Sequence, residues 1–227
     1  MKFHEVVPWG RNLAEYKLMF NLSDADLNNK ILGCGDGPAS FNAEMAKLGH
    51  LVVSIDPIYQ FSSEQIKKRV QEIYELVTSH IKTNAHRYVW KNFHNVDELG
   101  QARLATMEKF FLDYEVGKTE GRYLVQSLPN LKFFDDQFDL CLCSHLLFLY
   151  SEQLPLEFHI ASIHELLRTA QEVRIFPLLN LEGELSPYVE PVIQELTSNG
   201  FNVQIQSVAY EFQKDGNQML KIIRRHS

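Results

Sequence analysis

The sequence predicts an α/β protein with a mainly parallel, seven-stranded sheet, helices on both faces and an antiparallel last strand. Two observations carry this. From Lys30 onward, short apolar runs alternate with helical stripes, the pattern of successive strand–helix units. The last two strands, FNVQIQSVAY and NQMLKII, are joined by EFQKDGNQ, whose Lys-Asp-Gly-Asn core is a hairpin signal. The chain length of 227 residues suits one domain over 1–227 with an elaboration.

The elements follow in order. Residues 12–20 read as a short helix with Leu13, Tyr16, Met19 and Phe20 on one side. A strand runs into GCGDGPAS, and a helix through FNAEMAKLG stops at Gly49. The next strand, HLVVSID, ends at Asp56, and Pro57 stops further pairing. Later strands are RYLVQS, FDLCLCS and EVRIFPLL, with helices near residues 156–169 and 187–199. Residues 62–120 interrupt the alternation as a helical insertion. Its first helix carries Ile66, Val70, Ile73, Val77 and Ile81 at helical spacing, and a second runs through QARLATMEKFFLDY.

Composition excludes several classes. With 45% hydrophobic and 22% charged residues the chain is neither disordered nor collagen-like. Its net charge of −7 argues against a general nucleic-acid coat protein. Residues 64–120 hold nine Lys/Arg and nine Asp/Glu, so the whole net charge lies outside the insertion. Within it, Lys82, Arg87 and Lys91 alternate with Tyr88 and Trp90. That mixture reads as a lid whose aromatics face the acceptor pocket or the core, in preference to a strand-binding patch. The start lacks a basic segment followed by an apolar one, and no run reaches the roughly 18 apolar residues of a membrane span. Cys34, Cys141 and Cys143 read as buried thiols in a reducing, cytoplasmic setting. No metal site is expected, because His80, His86, His94, His159 and His164 lack ligand spacing with a carboxylate or Cys partner. A G-x-S-x-G elbow is absent.

The motif with chemical content is the turn after the first strand. Gly33, Gly35 and Gly37 occupy alternate positions, and Pro38 suits a first helical turn. Such a turn brings backbone N–H groups close to a ligand. Asp56, at the end of the next strand, can accept hydrogen bonds from two ribose hydroxyls. Together they specify an adenosine-containing ligand. A dinucleotide fingerprint requires a third glycine where this chain has Pro38 or Ser40, which leaves an NAD-dependent oxidoreductase as an alternative reading.

The alternating glycines followed by a strand-end acid resemble motif I of class I S-adenosylmethionine-dependent methyltransferases. The antiparallel last strand agrees. LPNLKFFDDQFDLCLCSHLLFLY resembles the family's adenine-side loop, its fourth strand and the loop after it, and IHELLRTAQEVRIFPLL resembles the helix and fifth strand that follow. The chain also resembles uncharacterised bacterial methyltransferase-like proteins with ILGCGDGPASFNAE-like and SHLLFLY-like segments. The resemblance implies a Rossmann-like class I methyltransferase fold, S-adenosylmethionine as cofactor, and a cofactor site drawn from Gly33, Cys34, Gly35, Gly37, Asp56, Pro57, Ser127, Leu128 and Ser144. Tyr16 and Arg11, from the N-terminal helix region, close over it. The family usually places Asp or Glu before the glycines. Here that position is Ile31 or Gly33, so the carboxylate is absent. The acid expected after the third strand is also missing, with Gln126, Ser127 and Leu128 in its neighbourhood.

The loop Ser144–Tyr150 follows the fourth strand, where the resemblance implies the transferred methyl group. It is not of the Asn/Asp-Pro-Pro-Tyr type associated with amino-group methylation of bases or glutamine. His145 is the candidate general base and Tyr150 a candidate for orienting the acceptor. The expected activity is methyl transfer to an oxygen or nitrogen of a small molecule, the 62–120 insertion shaping the acceptor pocket. Neither nucleic acid nor membrane is an expected partner. A non-catalytic S-adenosylmethionine-binding protein is the other alternative.

Overall fold

A computed structural model describes residues 7–224; the first six and last three residues of the expected 1–227 domain lie outside it. The strands are β1 (Ile31–Cys34), β2 (Val52–Ile55), β3 (Tyr123–Leu124), β4 (Phe138–Ser144), β5 (Ala170–Phe176), β6 (Asn202–Ser207) and β7 (Gln218–Ile223). They form one sheet in the order β3-β2-β1-β4-β5-β7-β6. Neighbours from β3 to β5 pair in parallel, whereas β7 runs antiparallel to both β5 and β6. The chain therefore has the Rossmann-like class I methyltransferase topology that its sequence predicts.

Alternation along β4 divides the core in two. Cys141 and Cys143 face one layer with Cys34, Val173 and Ile175, covered by α6 (Leu156–Thr169) and α7 (Val189–Ser198). Leu140 and Leu142 face the other with Ile31, under α1 (Leu13–Met19) and α3 (Phe41–Lys47). Both faces of β1 and β4 are buried, which is why they read as nearly unbroken apolar runs. All three cysteines are buried free thiols. Between α1 and β1 lies a four-residue helix, α2 (Asp24–Leu27), with no apolar stripe to announce it; Ser23 caps it in a box with Asp26.

The insertion forms two long helices, α4 (Ser63–Thr83) and α5 (Val96–Thr119). The second starts five residues before the apolar run that predicts it, because Asn95 caps it through the Glu98 N–H. The stripe on α4 is buried as its spacing predicts. Ile66 and Val70 pack with Phe110, Tyr114 and Tyr123, while Ile73, Val77 and Ile81 pack with Leu99 and, further out, Trp9, Tyr88 and Phe212.

The hairpin between β6 and β7 is not tight. Ten residues separate the strands, closed at the base by Val208 N–H donating to Asn217 O. Because β7 returns antiparallel, this connection lies at the carboxyl end of the sheet, and there it meets the insertion. Val89 N–H donates to Phe212 O at 2.8 Å, and Tyr88 bridges Gln213. The reversal thus places an aromatic loop where a crossover helix would have left none.

Candidate active site

The site starts at the end of β1. Gly35 and Gly37 take positive φ (70° and 52°), which lets the chain turn sharply into the segment before α3. Gly33 serves differently. A Cβ on it would collide with the carboxylate of Asp36, which folds back over the strand into that space. Asp36 is 7% exposed and accepts from Tyr16 Oη at 2.8 Å and from Ser54 Oγ at 2.6 Å. Asn42 Nδ2 donates to Ser54 Oγ, so four polar side chains form one chain of bonds beneath the turn. No ion pair among the described residues includes Asp36, and burial pushes its carboxyl up to about 6.

Asp56 follows β2. Its Oδ2 accepts from Gly37 N–H at 2.9 Å and its Oδ1 from Ile58 N–H at 2.8 Å, tying the strand end to the glycine turn. Burial pushes this carboxyl up, and the two backbone donors oppose the shift. Tyr59, in the 3₁₀ turn Pro57–Gln60, donates to Gly37 O at 2.8 Å, and Tyr114 of α5 donates to Tyr59 O. The insertion thus buttresses the turn that carries Asp56.

These residues open onto a cavity of about 270 Å³ lined by Tyr16, Gly35, Asp36, Gly37, Asp56, Pro57 and Ser144, among others. A second cavity of about 160 Å³ lies alongside, between α4, the loop after β4 and the β6–β7 connection; Tyr88, Leu149, Tyr150, Phe176 and Phe212 form much of its wall. Val7, Trp9, Arg11 and His145 line both. The N-terminal segment and one histidine therefore make the partition.

His145 sits at φ 53°, and its N–H donates to Phe176 O at 2.7 Å. Its Nδ1 lies 2.9 Å from Ser144 Oγ. Burial, with Arg11 and Arg103 nearby, holds the imidazole well below its ordinary pKa, so it is neutral. Tyr150, 3% exposed, accepts the Val7 N–H at 3.0 Å and so pins the partition to the loop. His159 is a fully satisfied core residue: it accepts the Phe148 N–H on Nε2 and has Pro155 O at 2.9 Å from Nδ1. Phe148 is held there at φ 67°.

Among the residues expected from sequence, Arg11, Tyr16, Gly35, Gly37, Asp56, Pro57, Ser144 and His145 come together around the first cavity, and Tyr150 lines the second. Gly33, Cys34, Ser127 and Leu128 are not among the lining residues. Gly33 lies under Asp36, Cys34 is buried in the core, Ser127 is exposed, and Leu128 joins the core at 8% exposure. Asp36 escaped the sequence reading, which sought an acid before the glycines; the visible signal was an acid inside them. In the insertion, Tyr88 stacks on Phe212 at 4.7 Å, while Arg87 pairs with Glu182 and Lys91 with Glu211. Both of these cations face carboxylates. Among the described residues, no group of three or more His, Cys, Asp or Glu could hold a metal ion, and no helix is long and apolar enough to cross a membrane.

Over 226 residues, 99% of this chain and 99% of the relative, the sequence is 37% identical to "Uncharacterized protein MJ0045" of Methanocaldococcus jannaschii. The chain belongs to that protein's family. The relative is archaeal, which corrects the expectation of bacterial kin. No family profile matches the chain. Among solved structures, similarity extends to magnesium protoporphyrin IX methyltransferase from Synechocystis PCC 6803 with bound SAM, at 16% identity over 89% of this chain and 73% of that one, TM-score 0.46. It also extends to a TehB-like SAM-dependent methyltransferase from Corynebacterium glutamicum, at 14% identity over 88% and 81%, TM-score 0.45. Strand order and direction, rather than these overlaps, define the fold.

Proposed function

We propose that this protein is an S-adenosylmethionine-dependent methyltransferase acting on an oxygen or nitrogen of a small molecule. One observation carries the reading: a cavity built on the glycine turn, Asp36 and Asp56 abuts a second cavity walled largely by aromatic side chains, and His145 lines both. When bound, S-adenosylmethionine supplies an activated methyl group that needs no metal or covalent nucleophile.

The residues of the first cavity fit that cofactor. Asp56 is positioned to accept from ribose hydroxyls beside the two backbone donors it already serves. Asp36, a buried carboxylate with no cation beside it, suits the α-ammonium group at the methionine end and supplies the acid that Ile31 and Gly33 lack. The second cavity aligns an acceptor and excludes water, which is most of what an in-line displacement asks of a protein. His145 meets the accepting atom and Tyr150 holds the wall. The insertion 62–120 serves as the lid of this acceptor side through Val77, Ile81 and Tyr88. A dinucleotide oxidoreductase is disfavoured, because its sheet continues in parallel where this one inserts the antiparallel β7.

Titration calorimetry with S-adenosylhomocysteine tests the reading. Wild-type protein binds it, and Asp56→Ala weakens binding by about 100-fold, the loss of two charge-assisted hydrogen bonds. Binding of NADH without S-adenosylhomocysteine would refute the proposal. Cofactor binding with no labelled-methyl transfer to any compound in a cell extract would favour a non-catalytic cofactor-binding protein.

A further inference from the structure

Among the described residues, the partition between the cavities and the groups packed behind it hold two guanidinium groups and one carboxylate. Arg103 of α5 is 1% exposed; its Nη1 donates to Glu15 Oε2 at 2.6 Å and its Nη2 to Tyr210 Oη at 3.3 Å. Tyr210 Oη donates to Glu15 Oε1, so that carboxylate is fully engaged. Arg11 stands beside them with no ion pair of its own among the described residues. Its Nη1 donates to the carbonyl of Trp9, and its buried Nε has no acceptor. Two guanidinium groups therefore share one carboxylate at the wall that meets both cavities. Burial and the neighbouring Arg103 lower the pKa of Arg11, and Tyr210, which shares a hydrogen bond with it, and Glu15 oppose the shift.

The other acids lie elsewhere. Asp36 and Asp56 line the first cavity only, and Glu152 and Glu182 are exposed residues of the second, Glu182 paired with Arg87 at 3.1 Å. His80 also lines the second cavity. The second cavity thus also holds Arg11, the neutral His145 and Tyr210, with walls from Trp9, Phe176 and Leu149.

Methyl transfer at such a point has a definite charge preference. The accepting atom forms the new bond to the methyl carbon with its own electron pair, while the carbon–sulfur bond breaks and leaves its pair on sulfur. An anionic oxygen becomes a neutral ether or ester. A neutral amine instead becomes a cation beside Arg11, with Arg103 behind it. His145, flanked by the same two cations, is a poor store for a released proton. We propose, resting on the methyltransferase reading, that the acceptor is an acidic oxygen on a compact apolar body. It is a carboxylic acid, acidic phenol or enol bound as its anion against Arg11, its proton left in solvent before it enters.

The test follows the fluorescence of Trp9 and Trp90 on titration with benzoate, benzyl alcohol and benzylamine, with and without S-adenosylhomocysteine. Benzoate binds about tenfold more tightly than either isostere, Arg11→Met abolishes the preference and Arg11→Lys keeps part of it. Equal binding of the three probes, or a preference that survives Arg11→Met, overturns the proposal. So does an Arg11→Met protein that loses affinity for S-adenosylhomocysteine while keeping it for 5′-methylthioadenosine, because the guanidinium then serves the cofactor's own carboxylate. Failure of wild-type protein to bind S-adenosylhomocysteine refutes the methyltransferase reading instead, and the benzoate preference measured without it still reports on Arg11.

Discussion

The two cavities differ in how they are made. Much of the first is assembled from the ends of three adjacent strands, β1, β2 and β4, and its two carboxylates and Ser144 lie at or within two residues of a strand terminus, with residues 7–11 and Tyr16 closing it. The second draws on segments far apart in the chain: residues 7–11, α4, the loop after β4, residues 176–182 and the β6–β7 connection. A strand-end site inherits its geometry from sheet register, which hydrogen bonds fix. A site built from remote segments depends on the individual links that hold those segments together.

The largest expected effect probes that dependence. Arg103 joins α5 to α1 and to Tyr210 by hydrogen bonds behind the second cavity. Arg103→Met takes the ion pair from buried Glu15 and leaves Arg11 as its nearest cation, and is expected to cost up to about 3–5 kcal/mol in urea unfolding. Adding Glu15→Gln should restore part of it. If Arg103→Met unfolds like wild type, the acceptor side does not rest on this link.

Next in size is His145→Ala. Turnover with an identified acceptor is expected to fall about tenfold or more through lost alignment of the acceptor, with cofactor affinity within about twofold of wild type. Unchanged turnover would remove His145 from the reaction.

Asp36→Asn sharpens the strand-end side. Affinity for S-adenosylhomocysteine should fall about tenfold, while 5′-methylthioadenosine, which has no α-amino group, binds as before. The pH dependence has a definite sign. The α-ammonium group selects the ionised Asp36, whose pKa stands at about 6, so wild-type affinity falls as pH drops below that value and levels off above it. Asp36→Asn flattens this profile. Calorimetry between pH 5 and 8, roughly bracketing that value, checks both. In wild type the two neutral hydroxyls of Tyr16 and Ser54 oppose the shift, and Asp56 adds to it.

The same contrast explains what the amino-acid sequence revealed. Strand, turn, helix and strand-end acid recur at short spacing, so Gly35, Gly37 and Asp56 were legible in sequence. The antiparallel β7 was legible too, from Lys-Asp-Gly-Asn. Asp36 was not, because its role depends on folding back over Gly33, a three-dimensional relation with no fixed offset from the strand. The aromatic wall was half legible: Tyr88 stood out within a mixed segment, whereas Phe212 acquires its role only when β7 reverses and brings its loop against residue 88. The charge imbalance at the partition joins residues 11, 15, 103 and 210, and no local pattern relates them.

One feature reaches beyond either cavity. Residues 7–11 border both, held by the Val7–Tyr150 bond at one end and by Ser40 N–H on Arg11 O at the other. Two ligands separated by a single shared strip of chain do not bind independently. Whatever the first gains or loses by moving that strip is passed to the second, and thermodynamic reciprocity makes the exchange equal in both directions. Cooperativity between them would then be written into five residues of backbone, ahead of any contact between the two ligands themselves.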